Sequence, residues 1–159
     1  MAKKIVKKGL IVLMIFVVII IAINAISVTV TGRCTKYVND YNEFYIYKKE
    51  KNVVGLFGFA MGSGYKIWIK PLQKKKLLNK IKEDVNLELT NAVASNSDKI
   101  KNYDISDDFK KITLYYYKDA KNYGVVPDDP VKYKIELYHQ IVSGPNVELS
   151  KILNYVEVE

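Results

Sequence analysis

Three residue types with the richest side-chain chemistry are nearly missing from this chain. Its 159 residues include one cysteine, Cys34, one histidine, His139, and a single arginine, Arg33, among 25 basic residues. One cysteine excludes an internal disulfide framework and a dithiol redox pair. One histidine excludes His-rich metal centres and leaves little for histidine-based acid–base catalysis. A lone arginine removes most of the planar, bidentate recognition that phosphates and base edges call for, which argues against nucleic acid as a partner.

The formal net charge of +8 is the next thing to shrink. Lys3, Lys4, Lys7 and Lys8 precede a long apolar run; without them, 17 acidic residues face a basic set only +4 in excess. Lys, Ile, Asn and Tyr are all abundant and all have A/T-rich codons, a compositional source for both the lysines and the 13 tyrosines. The apolar content of 49% is likewise uneven, because the first thirty residues hold far more than their share. The residues after them have an ordinary globular composition, that of neither a multi-span nor a disordered protein.

That apolar run is the strongest single signal. Leu10–Ala22 is uninterrupted, and Ile23, Ala25 and Ile26 extend it past Asn24. Leu10–Ile26 sits at the border between a signal peptide's h-region and a spanning helix, which needs about 17–25 residues. The stretch lacks a polar face, which disfavours a buried core helix. Residues 1–27 therefore read as a signal anchor or signal peptide. The preceding lysines put the N-terminus inside and the rest of the chain outside the cytoplasmic membrane, or free in the exterior if cleavage occurs after Ser27. Cys34 lies after Thr31-Gly32-Arg33, with a bulky cation where lipidation requires a small residue. The plainer reading is a lone juxtamembrane thiol with no special role, and the alternative is intermolecular pairing, to which an unpaired cysteine in an oxidising compartment is open.

Residues 28–42 read as a spacer, and 43–159 as one extracytoplasmic α+β domain. Strands are expected over Glu43–Lys49, Asn52–Ala60, Tyr65–Lys70, Phe109–Tyr117 and Ile152–Val158. Met61-Gly62-Ser63-Gly64 reads as a turn. Leu77, Leu78, Ile81, Val85 and Leu89 recur at helical spacing between Leu72 and Ala94, and a second helix spans Val131–Val142, stopped by Gly144 and Pro145. The economical assembly is one mixed sheet of four to five strands with two helices on one face.

The glycine stretch Gly55–Gly64 precedes a strand rather than a helix and lacks Gly-Lys-Ser/Thr, so it is not a phosphate loop. Phe57, Phe59 and Met61 with Trp68 instead form a candidate partner surface, although such aromatics more often fill a core. Lys74, Lys75, Lys76, Lys80 and Lys82 are a candidate cationic face for an anionic polymer or headgroups, against the plainer reading of a solvated helix face. Tyr115 and Tyr117 alternate with Tyr116 along a strand, which suits sugar stacking or ordinary strand propensity. Asp107, Asp108, Asp128 and Asp129 stand where turns and caps need carboxylates. Asp98, Asn102, Asp104 and Asp107 lack the glycine and glutamate of a calcium loop. No catalytic residue, metal or cofactor is expected.

The glycine–aromatic segment Gly55–Gly64, the lysine-rich helix, Asp107-Asp108-Phe109 and the helix Tyr138–Gly144 together resemble small exported proteins of Gram-positive bacteria, many of them lipoproteins, of unknown function. The likeness covers Val53–Val158 and implies an envelope location; it implies no activity and no site residues. The sequence therefore points to a non-enzymatic, membrane-tethered binding or accessory module whose partner is an envelope protein or anionic polymer. The alternatives are a secreted carboxylate-dependent hydrolase and a structural subunit of a membrane assembly.

Overall fold

An unbroken helix, α1 (Ala2–Asn24), opens the chain and runs almost directly into a strand. The computed structural model describes the backbone of residues 2–24, 26–53, 62–118, 120 and 129–159, and the side chains of 8–22, 26–46, 64–118, 120 and 129–159. Every side chain from Leu10 to Ile21 is 46–65% exposed, so all faces of α1 lie outside the core. Among the described residues, no helix is long and apolar enough to cross a membrane.

The rest is α+β, but it holds two three-stranded sheets rather than one mixed sheet. The first takes β1 (Ile26–Thr31), β2 (Tyr45–Val53) and β3 (Gly62–Ile69) in the order β1-β3-β2, all antiparallel. The second takes β4 (Ile100–Ile105), β5 (Ile112–Tyr117) and β6 (Leu153–Val158), with β4 antiparallel and β6 parallel to the central β5. Helix α2 (Lys74–Ser95) carries the chain from one sheet to the other. Helix α3 (Asp129–Ser143) and the single turn α4 (Leu149–Ile152) lie between the parallel pair β5 and β6, as a parallel connection requires.

The expected spacer is part of this fold. Val28 and Val30 alternate with Ser27, Thr29 and Thr31, and they point into the core as an edge strand beside β3. A 3-10 helix (Gly32–Phe44, kinked at Tyr41) then buries Cys34, Val38 and Tyr41 on one side. The Gly62–Gly64 segment, expected as a turn, belongs to β3, where Gly64 is buried between Thr31 on β1 and Lys51 on β2.

Helix α2 buries a regular stripe, Leu77, Ile81, Val85 and Leu89, each at most 1% exposed. Helix α3 is different. It packs on α2, the 3-10 helix and β1, and buries Val131, Tyr133, Ile135, Leu137, Tyr138, His139, Gln140 and Ile141. These residues do not form one stripe, because α3 is covered from several sides. Both sheets, α2, α3 and the 3-10 helix contribute to one continuous cluster.

A polar clamp holds β1 onto α3. The Thr31 N–H donates to Gln140 Oε1 (2.9 Å), while Gln140 Nε2 donates to the Thr31 carbonyl (3.2 Å) and to Glu136 Oε1 (2.8 Å). One buried amide thus stands in for the neighbouring strand that the β1 edge lacks, satisfying the N–H and carbonyl of one residue. Gly32 comes next at φ 70°, a conformation that costs a residue with a Cβ about 1–2 kcal/mol.

Among the described residues, two other than glycine also take left-handed backbones, Leu72 (φ 62°) and Phe109 (φ 59°). Leu72 is the third residue of a turn closed by the Gln73 N–H on the Lys70 carbonyl (3.0 Å). With Pro71 second, this is the type II pattern, whose third place ordinarily goes to glycine.

Replacing Gln140 with leucine keeps the volume but strands the Thr31 N–H and carbonyl. Urea unfolding of the full-length chain in mild detergent should show a loss of roughly 2–4 kcal/mol. A loss under about 0.5 kcal/mol, typical of an exposed position, would show that the clamp is dispensable.

Candidate functional site

The sequence candidates scatter. Phe57, Phe59 and Met61 lie outside the described residues. Trp68 is half-buried on the central strand β3, with the Lys66 ammonium 5.4 Å from its ring centre. The five lysines do not share one face. At 100° per residue, Lys75 and Lys82 fall to one side of the buried stripe of α2, and Lys76 and Lys80 to the other. Lys80 is paired with Asp84 at 2.7 Å. Lys82 donates to the Asp107 carbonyl (3.2 Å) and sits 5.5 Å from the ring centres of both Phe109 and Tyr138. Lys74, Lys75 and Lys76 remain together in the first turn of α2.

The densest constellation lies where the β4–β5 turn meets α3. The Ser106 N–H donates to the Lys111 carbonyl, and the Phe109 N–H to the Ser106 carbonyl. Asp108 Oδ1 accepts from Ser106 Oγ (2.9 Å) and the Lys110 N–H (3.1 Å), while the Lys110 ammonium reaches its other oxygen at 3.0 Å. Those contacts, the Lys110 ammonium first, hold the Asp108 carboxyl down at a pKa of about 2. The turn so built drives Phe109 inward to 1% exposure, its ring tilted 57° against Tyr138 at 4.6 Å. The Phe109 carbonyl accepts from His139 Nε2 at 2.9 Å.

This arrangement fastens the β4–β5 turn to α3. Ser106 spends its hydroxyl on Asp108 and on the Lys111 N–H, and His139 spends its Nε2 proton on a backbone carbonyl. The two are not joined as nucleophile and base, which a hydrolytic pair requires. Burial pulls the His139 pKa below its ordinary value, against the opposing pull of the Phe109 carbonyl and the Asp108 charge. A shallow cavity of about 340 Å³ opens beside the turn, lined by Lys82, Glu83, Asn86, Ile105, Ser106 and Asp107 together with the Phe109 edge.

Comparison of the chain with family models, curated proteins and solved structures finds no match.

The remaining candidates are structural in their contacts. Asp129 stands in the first turn of α3, where a carboxylate suits the helix dipole, and Asp128 lies outside the described residues. Asp104 accepts from the Tyr115 hydroxyl at 2.8 Å. Among the described residues, no three His, Cys, Asp or Glu side chains converge to hold a metal ion. Arg33, the lone arginine, donates to the Tyr133 hydroxyl at 2.7 Å. Tyr133 in turn stacks on Tyr37 at 6.2 Å, with the Lys36 ammonium near both rings.

Cys34 is fully buried, which corrects the expectation that it is open to pairing with another chain. Its thiol donates to the Thr31 carbonyl (2.6 Å) and lies 3.9 Å from Glu136 Oε1. Burial first, and then the Glu136 charge, push the thiol up to a pKa of about 12. The neighbouring Glu136 carboxyl is also raised by burial, against its hydrogen bonds from Gln140 and Cys34. Sequence reasoning found neither Gln140 nor Glu136, since mid-helix polar residues ordinarily face water.

These shifts have two measurable outcomes. A maleimide at pH 8 should leave Cys34 unmodified in the folded chain and label it fully in urea, read by mass spectrometry; thiolate is the reactive form. Rapid labelling of the folded protein would contradict the buried placement. His139 is held neutral by the fold, so stability should fall as pH drops through the ordinary histidine pKa of about 6.5 and level off below the folded value. A His139→Gln variant should flatten that part of the stability–pH curve, and an unchanged slope would remove His139 as its source.

Proposed function

We propose that this protein is a membrane-tethered extracytoplasmic module of the bacterial cell envelope, with its N-terminus inside and its α+β domain outside, acting by binding rather than by catalysis. The observation that carries the proposal is α1. A helix exposed on all sides from Leu10 to Ile21 is unstable in water unless something apolar surrounds it. The described side chains of α1 cover only Lys8–Ala22, short of a full span, but the helical backbone has 23 residues in all, about 34 Å at 1.5 Å per residue, against a hydrocarbon core of about 30 Å. Its first turns carry the four lysines that orient such a segment. The likeness to small exported Gram-positive proteins supports the same location.

A binding role is supported by how the reactive groups are used. Cys34 and His139 each fasten one element to another, and Ser106 and Asp108 spend their polar atoms on building the β4–β5 turn. An envelope protein or an anionic polymer is the class of partner that a basic, tethered domain would meet.

The test is fractionation of cells making the full-length chain. The protein should stay with membranes through an alkaline wash, and protease added outside should digest the domain. The double variant Ile15→Lys, Val18→Lys should leave the membrane fraction, since each lysine at mid-helix costs roughly 2.5–3.5 kcal/mol. Recovery of the unaltered protein in the cytosol alone would overturn the proposal.

A further inference from the structure

At one end of the first sheet, two irregularities of the backbone put large aliphatic side chains into water. Leu72 is 83% exposed, in the left-handed position of the Lys70–Gln73 turn where glycine would fit without strain. Ile46 is 59% exposed and is the extra residue of a bulge, for Tyr45 pairs with Ile69 and Tyr47 with Trp68. Neither side chain contributes to the core. Burying an aliphatic side chain is the ordinary outcome, and here the chain departs from regular geometry twice without doing so.

Both residues are neighbours of the point where α1 ends. Ile69 pairs with Tyr45 on one side and with Ile26 on the other, so these three residues form one row across the sheet. Ile26 is two residues beyond Asn24, the last residue of α1. Ile46 adjoins that row, and Leu72 is three residues after Ile69. With strands about 4.8 Å apart, this end of the domain stays close to whatever surrounds the end of α1.

Lys74, Lys75 and Lys76 stand next to Leu72, in the first turn of α2, which holds no acidic residue. Cations at a helix N-terminus oppose its dipole, so the stability of α2 does not explain them. Lys80, a turn further on, is neutralised by Asp84, whereas none of the three has an ion pair among the described residues. Exposed aliphatic side chains beside a cluster of lysines match a bilayer's interface: apolar groups enter the acyl boundary while ammonium groups meet anionic headgroups.

We propose that this end of the domain, Ile46 and Leu72 with Lys74, Lys75 and Lys76, is a second membrane contact that lays the domain against an anionic phospholipid surface. The inference rests on α1 being the tether, and adds to it a fixed orientation. Two signals together give a stable membrane contact where either alone is marginal. The domain then presents its opposite end to the exterior, the end holding Thr31, Gln140 and Val142, since Thr31 is five residues along β1 from Ile26, roughly 17 Å away.

The test uses the full-length chain in vesicles, with a nitroxide on a Leu72→Cys variant and, separately, on Ile46→Cys and on Val142→Cys as the distal reference. Native Cys34 is buried and stays unlabelled. In vesicles containing phosphatidylglycerol, the ratio of oxygen to nickel-chelate accessibility at positions 72 and 46 should be several-fold higher than at 142. It should fall to the value at 142 when Lys74, Lys75 and Lys76 are all changed to Glu, and in vesicles of phosphatidylcholine alone. Co-flotation of the protein with vesicles while positions 72 and 46 stay as water-accessible as 142 would overturn the membrane face and leave the tether standing. Equal immersion in both lipids would overturn the role of the lysines. No flotation with either vesicle would overturn the tether, and the face with it.

Discussion

The clamp between Gln140 and Thr31 is the constraint around which the domain is arranged. Edge strands need partners or cover, since an open row of N–H and carbonyl groups invites pairing with other chains. Here the cover is a helix, and the hydrogen bonds come from one primary amide 1% exposed. Because that amide must reach the last residue of β1, α3 is fixed against the strand. The 3-10 helix must then leave Thr31 sideways, through the positive φ of Gly32. The Cys34 thiol closes back on the Thr31 carbonyl, and Tyr41 reaches α2 by donating to Asp84 at 2.9 Å. One turn further along the same side of α2, Glu88 pairs with Lys134 of α3 at 2.8 Å. A region that reads as a linker is therefore the piece that ties three helical segments together.

How far the fold could be read ahead depended on whether burial left a period. Helix α2 has one wet face and one dry one, so Leu77, Ile81, Val85 and Leu89 announced it. β3 likewise showed itself by alternation at Tyr65, Ile67 and Ile69. Helix α3 was legible as a helix from its stop at Gly144, but its central place was not, because a helix covered from several sides loses the stripe that defines an amphipathic one. β4 was missed for a related reason. It is an edge strand with Ile100 buried and the other positions partly or fully exposed, and it carries Lys101, Asn102 and Asp104. β1 and the 3-10 helix did carry signals, Val28/Val30 and Cys34/Val38/Tyr41, but these were short and came directly after the apolar run. The division into two sheets could not be read at all, since strand partners are chosen by long-range packing rather than by local pattern.

The candidate site shows the same limit from the side of chemistry. The scarcity of His, Cys and Arg identified the few reactive groups but not their employment. Asp108 was read as a turn residue, and it is one. That its turn would force Phe109 into a left-handed backbone and aim its carbonyl at His139 has no counterpart in residue type, because bulky residues with positive φ are rare. Leu72 is the mirror case. The same unusual backbone, just before α2, turns a large side chain outward instead of inward. Each takes its direction from what lies next to it: a helix packed across the β4–β5 turn in one case, open surroundings in the other.

The separation of 109 residues between Thr31 and Gln140 also governs the order in which this protein can become itself. A chain synthesised amino end first delivers β1 early, yet its edge is not closed until α3 has been made. β5 likewise waits for β6, the last strand, which arrives only after α3 and α4. Contacts of such long span form late and slowly. β1 thus stays an open edge for as long as α3 takes to arrive, and the first sheet is not a covered unit before the second sheet's connecting helix is in place.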